Sequence, residues 1–587
     1  MRKPRATLLV LIGTLLPAML LASARPQAAA GCEYWVAPAG NDSAAGTAAA
    51  PWATLAHAAD ALPDDYCTVW FEDGEYAGSN RVNRRFTTVT LFRAIHPYQA
   101  VFTNDGPVLS LSGTTNVTLD GFVFRHTGPA ATPLVVQIDG SAAGYGERIT
   151  LRNNIFHDSY NNDLLKIVSG ARLILIENNV FYNQGPTDEH IDVNSVSDVV
   201  IQDNIFFNDY VGSGRENPAT GHSYITIKDS DEAADGRLGS ERITVRRNVF
   251  LNWEGGLETL IQVGNDGKPY HEARDVRLEN NLFIGNSANN AYAVLGLRGV
   301  RDVIFANNTV VGDFPSSAYA MWIDLKNANP VNINLTFTNN IWSDPTGSMG
   351  SYFMDTTDNE FSKGNPLYAL NAAIDNNLYW NGSAAIPGGD LLVPLVDDVN
   401  ALAADPALHI FQDAVTLPRW EGGAFLSGSA TIRQEFVRLV ETYARPAAGS
   451  PAIGAAKPET ALADDILGRA RSSTPDLGAY EYFIDLAGRP AETTIEVSWS
   501  QPNEAGAAEL MLAYTTDGQT EYIRGIAPAE REFTLPNLRP RTPYVLQLFV
   551  LDAAGQTLAE TTPLTIETTG HRWCLPFLIS SQTGSSR

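Results

Sequence analysis

The sequence predicts an all-β chain: a right-handed parallel β-helix solenoid followed by a small antiparallel β-sandwich. Three observations predict it. A short phrase recurs, reading Asn-Asn-Ile-Phe at 153–156, Asn-Asn-Val-Phe at 178–181 and Asp-Asn-Ile-Phe at 203–206, with variants at 247, 280, 307, 339 and 376. Its second asparagine steps from Asn154 to Asn179 to Asn204, two steps of 25, then passes through Asn248, Asn281, Asn308, Asn340 and Asn377. Constant phrases with variable spacers mark a solenoid whose insertions fall in loops. Secondly, each phrase follows an alternating apolar run, such as Ile149–Leu151, Leu173–Ile176 or Val199–Ile201, and period-two alternation is a strand with one face inward. A propeller blade needs about 40 residues, so the short steps exclude one. Thirdly, about seven short strands follow within roughly 80 residues, which implies a sandwich.

The elements follow in order. Residues 1–30 read as a secretory signal peptide. Arg2, Lys3 and Arg5 precede an apolar run from Ala6 to about Ala22, and Ala28, Ala29 and Ala30 offer a cleavage site. This places the protein outside the cell or on its surface. The apolar run is short for a membrane span, and no other stretch is long enough. Of 40 Lys+Arg in the 587 residues, four lie in this leader, leaving 36 against 66 Asp+Glu, a net charge of −30. Such a charge argues against nucleic acid and anionic membrane as partners. The three cysteines are Cys32, Cys67 and Cys574. Export permits a disulfide. Cys32 and Cys67 each abut a strand-like run, so these two are expected to pair, leaving Cys574 over. No Cys/His cluster has zinc spacing.

Residues 31–80 form the first unit. Tyr34–Ser43 leads to Pro51–Leu55, where Thr54 can cap a short helix over Leu55–Ala61, and a strand over Thr68–Phe71 precedes Asp73–Tyr76. This block resembles the N-terminal cap of right-handed parallel β-helix proteins of the pectate-lyase type, and a solenoid end needs such a cover over its apolar core. Rungs occupy 81–385. Asparagine at their turns tolerates left-handed backbone and, stacked at one position, forms a hydrogen-bonded ladder beside a Phe/Val/Trp column. Residues 386–485 are less regular, with a helix over Thr431–Ala444. Ser450–Ala455 and Pro475–Tyr482 resemble the closing segment of secreted β-helix proteins. Residues 486–570 are the sandwich. Trp499 and the run Leu538–Tyr544 make it similar to a fibronectin type III domain. Residues 571–587 are a tail whose apolar run cannot span a bilayer.

Rungs present outward side chains in columns about 4.8 Å apart, so an extended polysaccharide can lie across several. The informative strands lie between the first phrases: Asn162–Ile167, Asp188–Asn194, His222–Asp229 and Leu260–Val263. With Leu165, Ile191 and Ile225 inward, Lys166, Asp192 and Thr226 point outward on neighbouring rungs. His190 and Asn194 flank Asp192, Lys228 flanks Thr226, and Asp163, Asp188 and Glu189 stand beside them. That mixture suits uronate elimination. Carboxylates hold Ca²⁺ against the substrate's acid group, and a Lys or His base removes the C5 proton. The expected roles are catalytic for Lys166, Lys228 and His190, substrate-binding for Asp192, Asn194, Thr226, Tyr224 and Gln262, and Ca²⁺-binding for Asp163, Asp188, Glu189 and Asp192. Like-charge proximity is expected to lower the Lys166 pKa. The resemblance to calcium-dependent polysaccharide lyases on this fold implies the same residue types. Tyr160, Tyr210, Tyr224, Trp253 and Tyr270 can stack on sugars. A glycoside hydrolase is the second enzymatic reading, with Asp229, Asp231 and Glu232 as its acids. The alternative to an enzyme is a monomeric carbohydrate-binding or adhesion protein.

Overall fold

The computed structural model describes residues 31–141, 144–218, 220, 222–230, 236–256, 258–286, 291–314, 321–349, 369–386, 398–408, 415–499, 507–561 and 563–570. The leader, the tail with Cys574, Asp231 and Glu232 lie outside them. Among the described residues, three parallel sheets of 13, 9 and 12 strands wind together into a parallel β-helix, and two antiparallel sheets of three and five strands form the C-terminal sandwich.

One rung shows why these residues fold this way. Glu147–Arg152 runs in the first sheet, its Ile149 and Leu151 inward. Asn153 then takes a left-handed φ of 54°, which asparagine adopts at little cost. Ile155–His157 continues in the third sheet and Leu165–Ile167 in the second. The turn and the buried ladder fall to different asparagines, although the turn residues also bond across rungs, as Asn376 Nδ2 does to Asn339 Oδ1 at 2.8 Å. The first residue of each phrase is left-handed: Asn153, Asn178, Asp203, Arg247, Asn280, Asn307, Asn339 and Asn376. The second is buried and bonds the next rung. Its Oδ1 accepts the backbone N–H of the preceding asparagine, at 2.8 Å for Asn154 to Asn179, 2.8 Å for Asn179 to Asn204 and 3.0 Å for Asn204 to Asn248. The ladder ends on an acid, with Asn377 N–H donating to Asp398 Oδ2 at 3.0 Å. Beside it Phe124, Phe156, Phe181, Phe206, Phe250 and Phe283 stack with centroids 4.7–5.2 Å apart.

The N-terminal end is covered by α1 (Leu55–Ala61), capped by Thr54 Oγ1 accepting from His57 N–H, with Leu55, Ala58 and Ala59 buried. Cys32 and Cys67 form a disulfide there. A second core covers the outside of the third sheet. Ile155, Val180, Ile205, Val249, Leu282, Ile341 and Leu378 face outward yet are buried under α2 (Ile432–Tyr443) and segments up to Tyr480. The less regular stretch after 385 is thus a layer laid on the solenoid. Gly478 lets it approach: its φ is 81°, and a Cβ there would meet Ile341 Cδ1 and Thr309 Oγ1 at 2.6 Å. Arg471 fixes the closing segment, reaching Glu481 at 3.0 Å and Asn280 Oδ1 at 2.9 Å. In the sandwich, the Tyr544 hydroxyl accepts from Arg539 N–H at 2.9 Å, a corner that ties strand Pro543–Leu551 to the preceding turn. No helix among the described residues is long and apolar enough to cross a membrane.

One buried histidine carries a pH prediction. His126 accepts from Tyr160 N–H at Nδ1 and donates from Nε2 to Leu134 O, both at 3.1 Å. Only the neutral ring can do both. Burial, and then the neighbouring Arg215 charge, hold its pKa below the ordinary value, although the bond to Leu134 pulls the other way. A depressed folded pKa means stability complete above the unfolded histidine pKa, near 6.5, and lost as pH falls below it. The expected slope reaches at most about 1.4 kcal/mol per pH unit. His126→Gln, which takes up no proton, is expected to flatten that acid limb in urea titrations between about pH 6.5 and 5. An unchanged slope in the variant refutes the assignment.

Candidate functional site

The nine-stranded sheet carries the site. Strand registers place Gln137, Lys166, Asp192, Thr226 and Gln262 in one column, with Gly296 and Trp322 beyond. The inward column is Val136, Leu165, Ile191, Ile225 and Ile261. The order expected for Lys166, Asp192 and Thr226 on consecutive rungs is the order found.

The charges converge at the second and third of these rungs. Lys166 Nζ lies 2.5 Å from Asp192 Oδ2 and 3.5 Å from Asp163 Oδ2, and Lys228 Nζ lies 3.9 Å from Asp192 Oδ1. Asp192 therefore sits between two lysines. On the other side of Lys166, one carboxylate oxygen each from Asp163, Asp188 and Glu189 lies within 4.8 Å of the others. Asp163 Oδ1 accepts Glu189 N–H at 3.1 Å, which fixes the two acids across neighbouring rungs. Asp163, Glu189 and Asp192 are buried, Asp188 is half-buried, and the Lys166 side chain keeps 26% of its exposure. The cluster thus opens to solvent along its Asp188–Lys166 edge.

Its electrostatics follow from burial and crowding. Burial raises the Asp163 pKa well above the usual carboxylate range, and the Asp192 and Glu189 charges raise it further. Glu189 is raised too, by burial, with Lys228 opposing and Asp192 adding. For Lys166 burial acts downward, but Asp192 and Asp163 outweigh it and the pKa is raised. Lys228 behaves the same way, with Asp192 and Glu189 outweighing burial. The expected lowering of the Lys166 pKa is corrected: the carboxylate between the lysines dominates their mutual repulsion.

The fit of a cation rests on an oxygen atom left without a partner. Glu189 Oε2 is buried and accepts no hydrogen bond among the described residues. Buried carboxylate oxygens need a partner. Three clustered carboxylates are a hard, all-oxygen donor set, which suits Ca²⁺ rather than zinc or copper. Asp163, Asp188 and Glu189 therefore fit the group. Asp192 serves the lysines instead.

Other expected residues fall elsewhere. His190 is no outward base. It is fully buried, lies with its ring tilted 4.7 Å from that of Tyr224, meets Asn208 Oδ1 through Nε2 at 3.1 Å, and is lowered to a pKa of about 3 by burial. Tyr224 is no sugar contact, being buried with its hydroxyl donating to Leu251 O at 2.6 Å. Both occupy the residue before the inward column, where the chain leaves a corner and side-chain alternation has not begun. Leu164 and Leu260 hold the same place in their rungs, and that apolar company was the available signal. Thr226 and Gln262 face outward but are 1% and 2% exposed, and Gln262 spends its amide on Gly264 O at 2.6 Å. Asn194 braces Ser230, accepting its N–H at 2.9 Å. Tyr210 and Trp253 are buried. Tyr160 lies under the Arg215 guanidinium at 4.1 Å. Tyr270 donates to Asp229 Oδ2 at 3.0 Å, and Asp229, which also accepts Gly239 N–H at 2.6 Å, is a loop brace rather than a hydrolase acid. Asp266 was missed. It interacts with Lys228 and Asp192, and burial raises its pKa, with Lys228 opposing. It follows a strand within an irregular turn, where no periodicity marks it.

No known protein family matches the chain, and no curated protein is similar to it. Solved structures similar to part of it include the FN1–FN3 domains of chicken CNTN1, at 19% identity and a TM-score of 0.14, covering 15% of this chain and 31% of that one. Another is the FN5 domain of Drosophila Lar, at 22% identity and a TM-score of 0.13, covering 15% of this chain and 94% of that one.

Proposed function

We propose that this is a secreted, pectate-lyase-like β-helix protein with a fibronectin type III-like module, and that it acts as a calcium-assisted lyase on a uronate-containing polysaccharide. The observation carrying this reading is the placement of three carboxylates within 4.8 Å beside the half-exposed edge that Lys166 occupies. Asp163, Asp188 and Glu189 would hold Ca²⁺, which supplies charge neutralisation of the substrate's carboxylate. Lys166, the more exposed of the two lysines, would remove the C5 proton. Asp192 orients Lys166, and Lys228 balances the charge of Asp192.

The test is absorbance of unsaturated uronates over pectate, alginate and glycosaminoglycans, with and without Ca²⁺, together with calorimetric Ca²⁺ titration. Wild type is expected to bind Ca²⁺ and to gain about 2.7 kcal/mol of stability at a hundredfold excess over Kd. Asp163→Ala is expected to lose that gain, and Lys166→Met to lose at least about 100-fold in rate with Ca²⁺ binding retained. Absent Ca²⁺ binding sinks the reading. A second reading, a non-catalytic glycan-binding protein, is favoured by one observation: both lysines lie against Asp192, at 2.5 and 3.9 Å, which raises their pKa values and opposes a neutral base. Ca²⁺ and glycan binding without eliminated product on any polymer decides for it.

A further inference from the structure

A groove on another face of the solenoid is independent of the acid–lysine cluster. The outward row of the third sheet runs Val101, Val123, Ile155, Val180 and Ile205. From Ile155 onward this row is fully buried beneath the C-terminal layer. The cover stops at the hairpin Trp420–Phe425, whose turn is Gly422-Gly423. Between that hairpin and the first rungs lies a groove of about 660 Å³ lined by Glu75, Val101, Arg125, His157 and Trp420, among others. The apolar row therefore continues past its cover into an open slot bordered by polar groups.

The polar groups are unequal in what they still need. His157 meets Asp158 Oδ2 at 2.8 Å, and Asp158 also accepts from Arg215 at 2.9 Å and from Asn183 at 2.9 Å. Glu75 accepts the Thr103 hydroxyl at 2.6 Å. Arg125 sits one rung from Thr103 and one from His157 in the adjoining column. It is half-buried, and among the described residues its guanidinium makes one hydrogen bond, a long one of 3.4 Å to His126 O, with no carboxylate within ion-pair distance. A planar guanidinium in this state asks for a bidentate oxyanion. Trp420 is half-buried, held edge-on to Tyr98 and Phe425 at 4.7 and 5.0 Å. An indole and a valine row, with a guanidinium in the adjoining column of the same sheet face, suit a ring that has an apolar face and an acid substituent.

We propose that this groove is a binding subsite for a carboxylated sugar, with Arg125 taking the carboxylate and the Trp420–Val101 floor taking the ring. A uronosyl unit combines the two features, whereas a free carboxylate offers only the first and a neutral sugar only the second. The site performs no chemistry. Its use is to hold a polymer or its product away from the acid–lysine cluster.

The experiment is calorimetry on the full chain in EDTA, which leaves the acid cluster without metal. The probes are tri-galacturonate, a neutral cellotriose and acetate. Wild type is expected to bind tri-galacturonate at one site and at least 10-fold more tightly than either control. Arg125→Gln removes no ion pair, so its thermal midpoint is expected to stay unchanged while affinity falls at least 10-fold. Trp420→Leu should weaken binding as well. Lys166→Met is expected to bind as wild type does, which separates this subsite from the cluster. No binding of tri-galacturonate overturns the proposal, as does equal binding of acetate, equal binding of cellotriose, or an Arg125→Gln affinity equal to wild type. Loss of binding in Lys166→Met, with Arg125→Gln unaffected, assigns the ligand to the cluster instead.

Discussion

Asn204→Ala is expected to cost about 3–6 kcal/mol of stability, against about 1 kcal/mol for Asn153→Ala, although both belong to the same repeated phrase. The Asn204 side chain works in both directions. Its Oδ1 accepts Asn179 N–H at 2.8 Å and Asn179 Nδ2 at 3.1 Å. Its Nδ2 donates to Ile176 O at 2.9 Å and to Asn248 Oδ1 at 3.0 Å. All of these atoms belong to buried residues, so alanine strands a backbone donor, an amide donor and a backbone acceptor away from water. Each stranded group costs about 1–3 kcal/mol, and because all three share one site their costs add incompletely, which sets the expected total at about 3–6 kcal/mol. Asn153 instead supplies a left-handed turn at the half-buried edge; its Nδ2 donates to Asp120 Oδ1 at 2.7 Å and its Oδ1 accepts from Asn178 Nδ2, but both bonds are part-buried, so their loss costs less than at the buried ladder. Arg247 shows that the turn position tolerates other residues: it holds φ 51° while bonding Asp203 at 2.9 Å and Asp464. Guanidinium unfolding midpoints for the two alanine variants measure the contrast. Equal losses would mean that turn and ladder share one role.

The end of the ladder explains why the interior needs an amide. Asp398 receives Asn376 N–H, Asn377 N–H, Asn377 Nδ2 and the Tyr379 hydroxyl. Every partner there is a donor, so a carboxylate fits. An interior rung must also donate to a carbonyl, which ionised aspartate cannot do.

Much of this was legible. The phrase spacing gave the rung register, because the inward Phe column and the buried asparagine repeat at fixed offsets. The strand Asp188–Asn194 gave Asp192 its outward direction through the alternation of Ile191 and Val193. Two things were not legible, for different reasons. His190 and Tyr224 belong to a corner, where backbone direction changes and period two does not apply. The second core was hidden in the phrase itself. Val180-Phe181-Tyr182 and Ile205-Phe206-Phe207 are apolar at three successive positions, so both faces of that sheet are buried. Read as a one-faced strand, they leave α2 without a surface to cover. What covers a face depends on chain 200 residues later, and local pattern carries no information about that.

Asp192→Asn is the substitution expected to disturb the site most. It keeps the shape of a fully buried side chain and removes the charge between Lys166 and Lys228. Breaking a buried pair from one side costs about 3–5 kcal/mol. Lys166 keeps some solvent contact, so the lower end of that range is expected. Lys166→Met should cost less, about 1–2 kcal/mol, because Lys228 remains to balance Asp192. The double variant is expected to lose less than the sum of the two, with a coupling above about 1.5 kcal/mol. The sign of the pH dependence also follows. Both lysine pKa values are raised in the folded chain. Their stabilisation is therefore complete below the unfolded lysine pKa, near 10.4, and is lost as pH rises through the higher folded values. The gap between wild type and Asp192→Asn is thus expected to persist from about pH 6 to pH 9 and to narrow only above about pH 10. In the variant burial acts on the lysines with less opposition, so their pKa values fall. If Lys166 is the base, the rate that remains in Asp192→Asn should peak at lower pH than wild type. A loss under about 1 kcal/mol with additive behaviour in the cycle would place both lysines in solvent and remove them from the site.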